Sequence, residues 1–126
     1  MICANLQKIR SIIEETARGC GRDPKEVKLV AVSKYMPAAM ITEAHQCDQV
    51  LFGENYLQHA EEKITQLPPA LHWHFIGHLQ SNKAKMAAEL FQMIETVDRF
   101  KIAQALDRHS GSLEKKLDVI GPGQCW

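Results

Sequence analysis

No apolar run in this 126-residue chain approaches the roughly 18 residues that a bilayer span requires. The opening MICANLQKIR lacks the charged-then-apolar build of a secretory signal, so a cytoplasmic location is expected. Neither sign of charge prevails: 15 Lys and Arg face 15 Asp and Glu. That leaves no basic stripe or acidic tail for a nucleic acid or a membrane surface, and points to a small-molecule or protein partner. Cys3, Cys20, Cys47 and Cys125 form no Cys-x-x-Cys pair, which excludes zinc-ribbon and thioredoxin-type spacings and leaves buried or idle thiols. Cys125 also stands too close to the end of the chain for a prenylation box. Neither G-x-G-x-x-G nor G-x-x-x-x-G-K occurs, so a dinucleotide or nucleoside-triphosphate cradle has no sequence support.

What is present is the composition of one folded domain, 45% hydrophobic and 24% charged. Leu6, Ile9, Ile13 and Ala17 recur at helical spacing in NLQKIRSIIEETARG, with Gly19 and Gly21 as a stop. KLVAVS is short, branched and apolar, as a buried parallel strand is, and Pro37 suits the first turn of the helix PAAMITEAHQ. The alternation then repeats. QVLF, HWHFI, IETV and LDVI read as strands, and YLQHAEEKITQ, KAKMAAELFQM and RFKIAQALDRH as the helices between them, with Asp98 as N-cap of the last. Such alternation predicts a parallel α/β sheet with right-handed crossovers, either a barrel or an open sheet.

In either architecture the carboxyl ends of the strands share one edge, where ligands bind. Lys34, Gly53-Glu54-Asn55, the stretch 77–82 and Asp98 all fall there. A lysine ending an apolar strand is expected to be partly desolvated, which disfavours its ammonium form and leaves an amine able to attack carbonyls. A lysine that merely snorkels to solvent is the plainer alternative. His72 and His74 share one strand face and, with His78, could seed a metal site. Trp73 and Phe75 point the other way, however, and a histidine on the core side needs only one hydrogen-bond partner, so no metal is expected. Gly53 and Gly77 permit tight strand-to-loop corners and close backbone approach to a ligand, or serve as ordinary turn glycines. Glu54 and Asn55 offer an acceptor and an amide at the rim. Asn82, Lys83 and Lys85 open a helix that could hold a phosphate, or present a solvated face.

Together, LVAVSK at 29–34, FGENYLQ at 52–58, WHFIGHLQSNK at 73–83 and VDRFKIAQAL at 97–106 resemble the pyridoxal phosphate homeostasis protein family, also called proline synthetase co-transcribed homologues. The resemblance covers residues 3–120. It implies a TIM-barrel fold like the N-terminal domain of alanine racemases, with pyridoxal 5'-phosphate held as an aldimine on Lys34. It further implies that Asn55 and His74 line the ring pocket. Family members act as carriers that buffer and deliver a reactive aldehyde, with apoenzymes that use the cofactor as partners, rather than as robust catalysts. A racemase-like enzyme, or a fragment that acts only through its exposed edge, is the rival expectation.

A complete barrel takes about 250 residues and eight strand–helix units. This sequence has four units and part of a fifth, an arc of such a barrel, and residues 121–126 (GPGQCW) do not match the family. The family's Ser/Gly/Thr phosphate loops lie near its C-terminus, so the resemblance implies a weakened hold on the cofactor here.

Overall fold

In the computed structural model, which describes residues 1–120, helix α1 spans Ile2–Gly19 and buries Leu6 and Ala17 against the rest of the chain. Ile9 falls outside that stripe and is 43% exposed. Gly21, at φ 73°, turns the chain into the short 3₁₀ helix Pro24–Glu26, whose Asp23 side chain accepts from the Lys25 N–H. Strand β1 (Ala31–Val32) follows, then α2 (Ala38–Gln46), β2 (Leu51–Glu54), α3 (Leu57–Gln66) and β3 (His72–Phe75). A second 3₁₀ turn, Ser81–Lys83, leads into α4 (Ala84–Leu90), β4 (Met93–Ile94), α5 (Phe100–Ser112) and β5 (Asp118–Val119). The strands form one five-stranded parallel sheet in the order β1-β2-β3-β4-β5.

The period-two pattern of the strands decides which face is covered. Phe52, Trp73, Phe75 and Ile94 are buried with Phe91, Ile41, Leu71, Ile102 and Leu106 in a single core between sheet and helices. Tilted ring pairs tie it together, Phe52 to Trp73 at 5.6 Å between centroids and Phe75 to Phe91 at 5.3 Å. A register row of Val32, Gly53, His74, Met93 and Asp118 belongs to the other face. Val32 there is 48% exposed.

Two strands are shorter than their apolar patterns suggest. The Leu29 carbonyl is taken by the buried Gln49 amide at 2.8 Å rather than by a neighbouring strand, so β1 begins only at Ala31. The expected strand IETV lies one residue early. Phe91 already has extended backbone, and Gln92 binds Trp73 through both its N–H (2.9 Å) and its side-chain oxygen (2.6 Å), which draws the chain into the sheet before Ile94. Asp98 does not cap α5. Arg99 takes the N-cap position without a side-chain bond, while the Asp98 carboxylate lies 3.4 Å from Arg99 and 3.9 Å from His78.

The expectation of idle thiols fails for one pair. The first turn of α1 packs beside the end of α2, so Cys3 and Cys47 meet as a disulfide with Cα atoms 5.6 Å apart. Cys20 is free and exposed, and Cys125 lies outside the described residues. Among the described residues no helix is long and apolar enough to cross a membrane, and no three His, Cys, Asp or Glu side chains converge as metal ligands do.

Candidate functional site

Lys34 stands where β1 has just ended, at the start of a turn closed by the Met36 N–H on the Ser33 carbonyl at 3.0 Å. Tyr35 completes that turn at φ 62°, in the left-handed region that a side chain of its size rarely occupies. The turn lifts Lys34 out of the sheet, and the residue is exposed. The desolvation expected of it therefore does not hold: the last buried residue of the strand end is Ser33, not the lysine.

Ser33 is bound at every polar atom. Its N–H donates to the Gly53 carbonyl at 3.0 Å, and its hydroxyl donates to the Glu54 carboxylate. Its carbonyl accepts from the Lys63 ammonium of α3 at 2.7 Å. Lys63 also reaches both Glu54 oxygens, at 3.1 and 3.2 Å, with side-chain exposures of only 14% for Lys63 and 1% for Glu54. The corner Gly53-Glu54-Asn55 is thus split in function. Glu54 turns under the sheet into an ion pair, while Asn55 remains at the rim.

The Asn55 side-chain oxygen is enclosed yet has no hydrogen-bond partner. Gly77 explains the crowding: a Cβ there would run into the carbonyl oxygen and Cα of Asn55, so the close approach that Gly77 permits is to this backbone. Asn55 lines a cavity of about 300 Å³ with Tyr56, His59, Phe75, His78 and Lys83, among others. Of the suspected phosphate-binding trio only Lys83 enters it. Lys85 is exposed, and Asn82 lines a different hollow beside Lys101 and Arg108, because the 3₁₀ turn at Ser81–Lys83 delays the start of α4. A larger cavity, about 530 Å³, lies at the opposite end of the strands, beside Arg10, Leu29 and Gln49.

His74 stands beside Gly53 in the register, and its Nδ1 meets the Glu95 carboxylate of the β4 end at 3.1 Å. The strand is two-sided as its sequence suggests, with Trp73 and Phe75 buried on the helix side. Lys34 lies two residues beyond Val32, past the end of β1, and Asn55 two beyond Gly53, past the end of β2.

Aromatic rings complete the surroundings of Lys34. Tyr35 and Tyr56 lie 6.3 Å apart, and Tyr56 meets His59 edge-on at 5.7 Å. The Tyr35 hydroxyl, as hydrogen-bond partner and as charge, pushes the Tyr56 phenol above its ordinary value, burial adds to the rise, and the Lys34 ammonium pulls the other way. Reasoning from sequence missed Lys63, Glu95 and this tyrosine pair. The pairing of residues 33, 54 and 63 could only have been found by placing Ser33 and Glu54 on adjacent parallel strand ends.

No family model matches the chain. A pyridoxal phosphate homeostasis protein of Pseudomonas aeruginosa is 50% identical over 108 residues, covering 83% of this chain and 46% of that protein. One from Escherichia coli K12 is 46% identical over 123 residues, 94% of this chain and 53% of that protein. Among solved structures, PipY of Synechococcus elongatus with PLP bound aligns with a TM-score of 0.80 at 41% identity, over 94% of this chain and 52% of PipY. The chain spans about half the length of these relatives. Over that half, the chain is similar in sequence and in fold to proteins of the pyridoxal phosphate homeostasis family.

Proposed function

We propose that the chain binds pyridoxal 5'-phosphate in the cytoplasm as a carrier in the homeostasis of that cofactor, with the Lys34 amine as the point of covalent attachment. The observation that carries this reading is an exposed amine on a firmly held turn at the carboxyl edge of a parallel sheet, in a chain similar to a protein solved with PLP bound. When bound, the cofactor supplies an aldehyde whose carbon exchanges its oxygen for a lysine nitrogen with release of one water, a bond that a competing amine can take over.

The residues present fit such a guest. Lys34 is accessible, the Tyr35 and Tyr56 rings offer flat faces beside it, and the enclosed Asn55 oxygen is free to accept a hydrogen bond. His74 is held in place by Glu95. We take the sheet to be an arc of a closed β/α barrel, which the sequential all-parallel strand order supports. Apoenzymes that need the cofactor are the proposed recipients.

The test is to mix the purified chain with pyridoxal phosphate, reduce with borohydride and map the adduct by mass spectrometry. Label on Lys34 that disappears in Lys34→Ala is expected; a wild-type chain without label on Lys34 sinks the reading.

A further inference from the structure

Lys63 is a partly buried amine that the reading above leaves without a task. Its ammonium sits on α3, largely hidden, and spends its hydrogen bonds on the Glu54 carboxylate and on the Ser33 carbonyl. As a device for stability alone this is a poor choice, since burying an ion pair costs about as much in lost hydration as the attraction returns. Its placement suggests another use. The Ser33 carbonyl belongs to the peptide bond that leads into Lys34, and the same oxygen receives the Met36 N–H that closes the turn. Tyr35 occupies the left-handed region within that turn, a conformation that persists only where its surroundings over-determine it.

We propose that Lys63, through Glu54 and Ser33, is a positioning residue for Lys34: it locks the turn so that the Lys34 amine is presented in one direction. The proposal rests on the cofactor reading above. Lys63 touches neither the aldehyde nor the attacking nitrogen in this scheme. It holds the peptide from which that nitrogen hangs.

Two measurements on the intact chain test it. Hydrogen exchange at the Met36 amide is expected to quicken about tenfold in Lys63→Met, the effect of losing one charge-assisted hydrogen bond, and to return toward wild type in Lys63→Arg. After incubation with pyridoxal phosphate and borohydride reduction, the share of total label on Lys34 relative to the other lysines is expected to fall about tenfold in Lys63→Met and to recover in Lys63→Arg. General loosening of the fold would lower labelling without redistributing it among exposed lysines.

An unchanged Lys34 share in Lys63→Met, with wild type labelled, overturns the positioning role. A wild-type chain without label at Lys34 overturns the cofactor reading and this proposal with it, and the two failures are thereby told apart. If Lys63→Met loses its cooperative melt, Ser33→Ala takes its place, because it removes one hydroxyl and keeps the ion pair. A roughly threefold fall in the Lys34 share is then expected, and no fall overturns the proposal.

Discussion

At the scale of single residues, the site is governed by where backbone and charge leave no choice. The Tyr56 phenol should titrate above 10.0, and Lys34→Ala should move it higher still, because it removes the one nearby charge that favours the phenolate. An ultraviolet titration of the phenolate band reads both shifts. Since the folded value lies above the unfolded one, the folded chain holds more proton between the two, and this group's contribution to stability declines as pH rises through that window. Gly77→Ala should cost about 1–3 kcal/mol by urea denaturation, since the contact it creates is with Asn55 backbone rather than with a side chain that can swing aside. The lysine at the strand end was visible in the sequence because a charge after LVAVS is conspicuous. Its exposure was not, because exposure depends on a turn in which a tyrosine adopts a backbone conformation usually left to glycine.

Among elements, the helices and strands were legible wherever apolar spacing was unambiguous, as in α1 and β3, and uncertain at their ends. Those ends are set by side chains arriving from elsewhere. Gln49 and Gln92, both ordinary polar residues in the sequence, decide where β1 and β4 begin. The end of α4 is a similar case. The Lys115 ammonium donates to the Ala88 and Phe91 carbonyls at 2.7 and 2.6 Å and so caps that helix from 24 residues away. Lys115→Met should therefore lower stability by about 1–3 kcal/mol in a urea titration.

Burial holds the Lys115 amine below the ordinary lysine value of 10.5, against a smaller opposing pull from Glu89. Between its lowered folded value and 10.5 the unfolded chain carries more proton, so wild-type stability should gain from this group as pH rises through that window. The Met variant should lack that gain.

For the whole molecule, the alternating pattern predicted the parallel α/β architecture, and the sheet has it. Composition and spacing alone could not separate a barrel from an open sheet, because both are built from the same repeating unit. The order β1-β2-β3-β4-β5 carries one more consequence, and it concerns time rather than space. Among the described residues each strand after β1 pairs with the one that precedes it in the chain, as His72 does with Leu51 and Met93 with His74. Within this sheet no pairing has to wait for a distant segment, so as the chain leaves the ribosome from its N-terminus each of these strands after the first emerges beside a template already made. Synthesis and sheet growth can then proceed in the same direction, one strand–helix unit at a time.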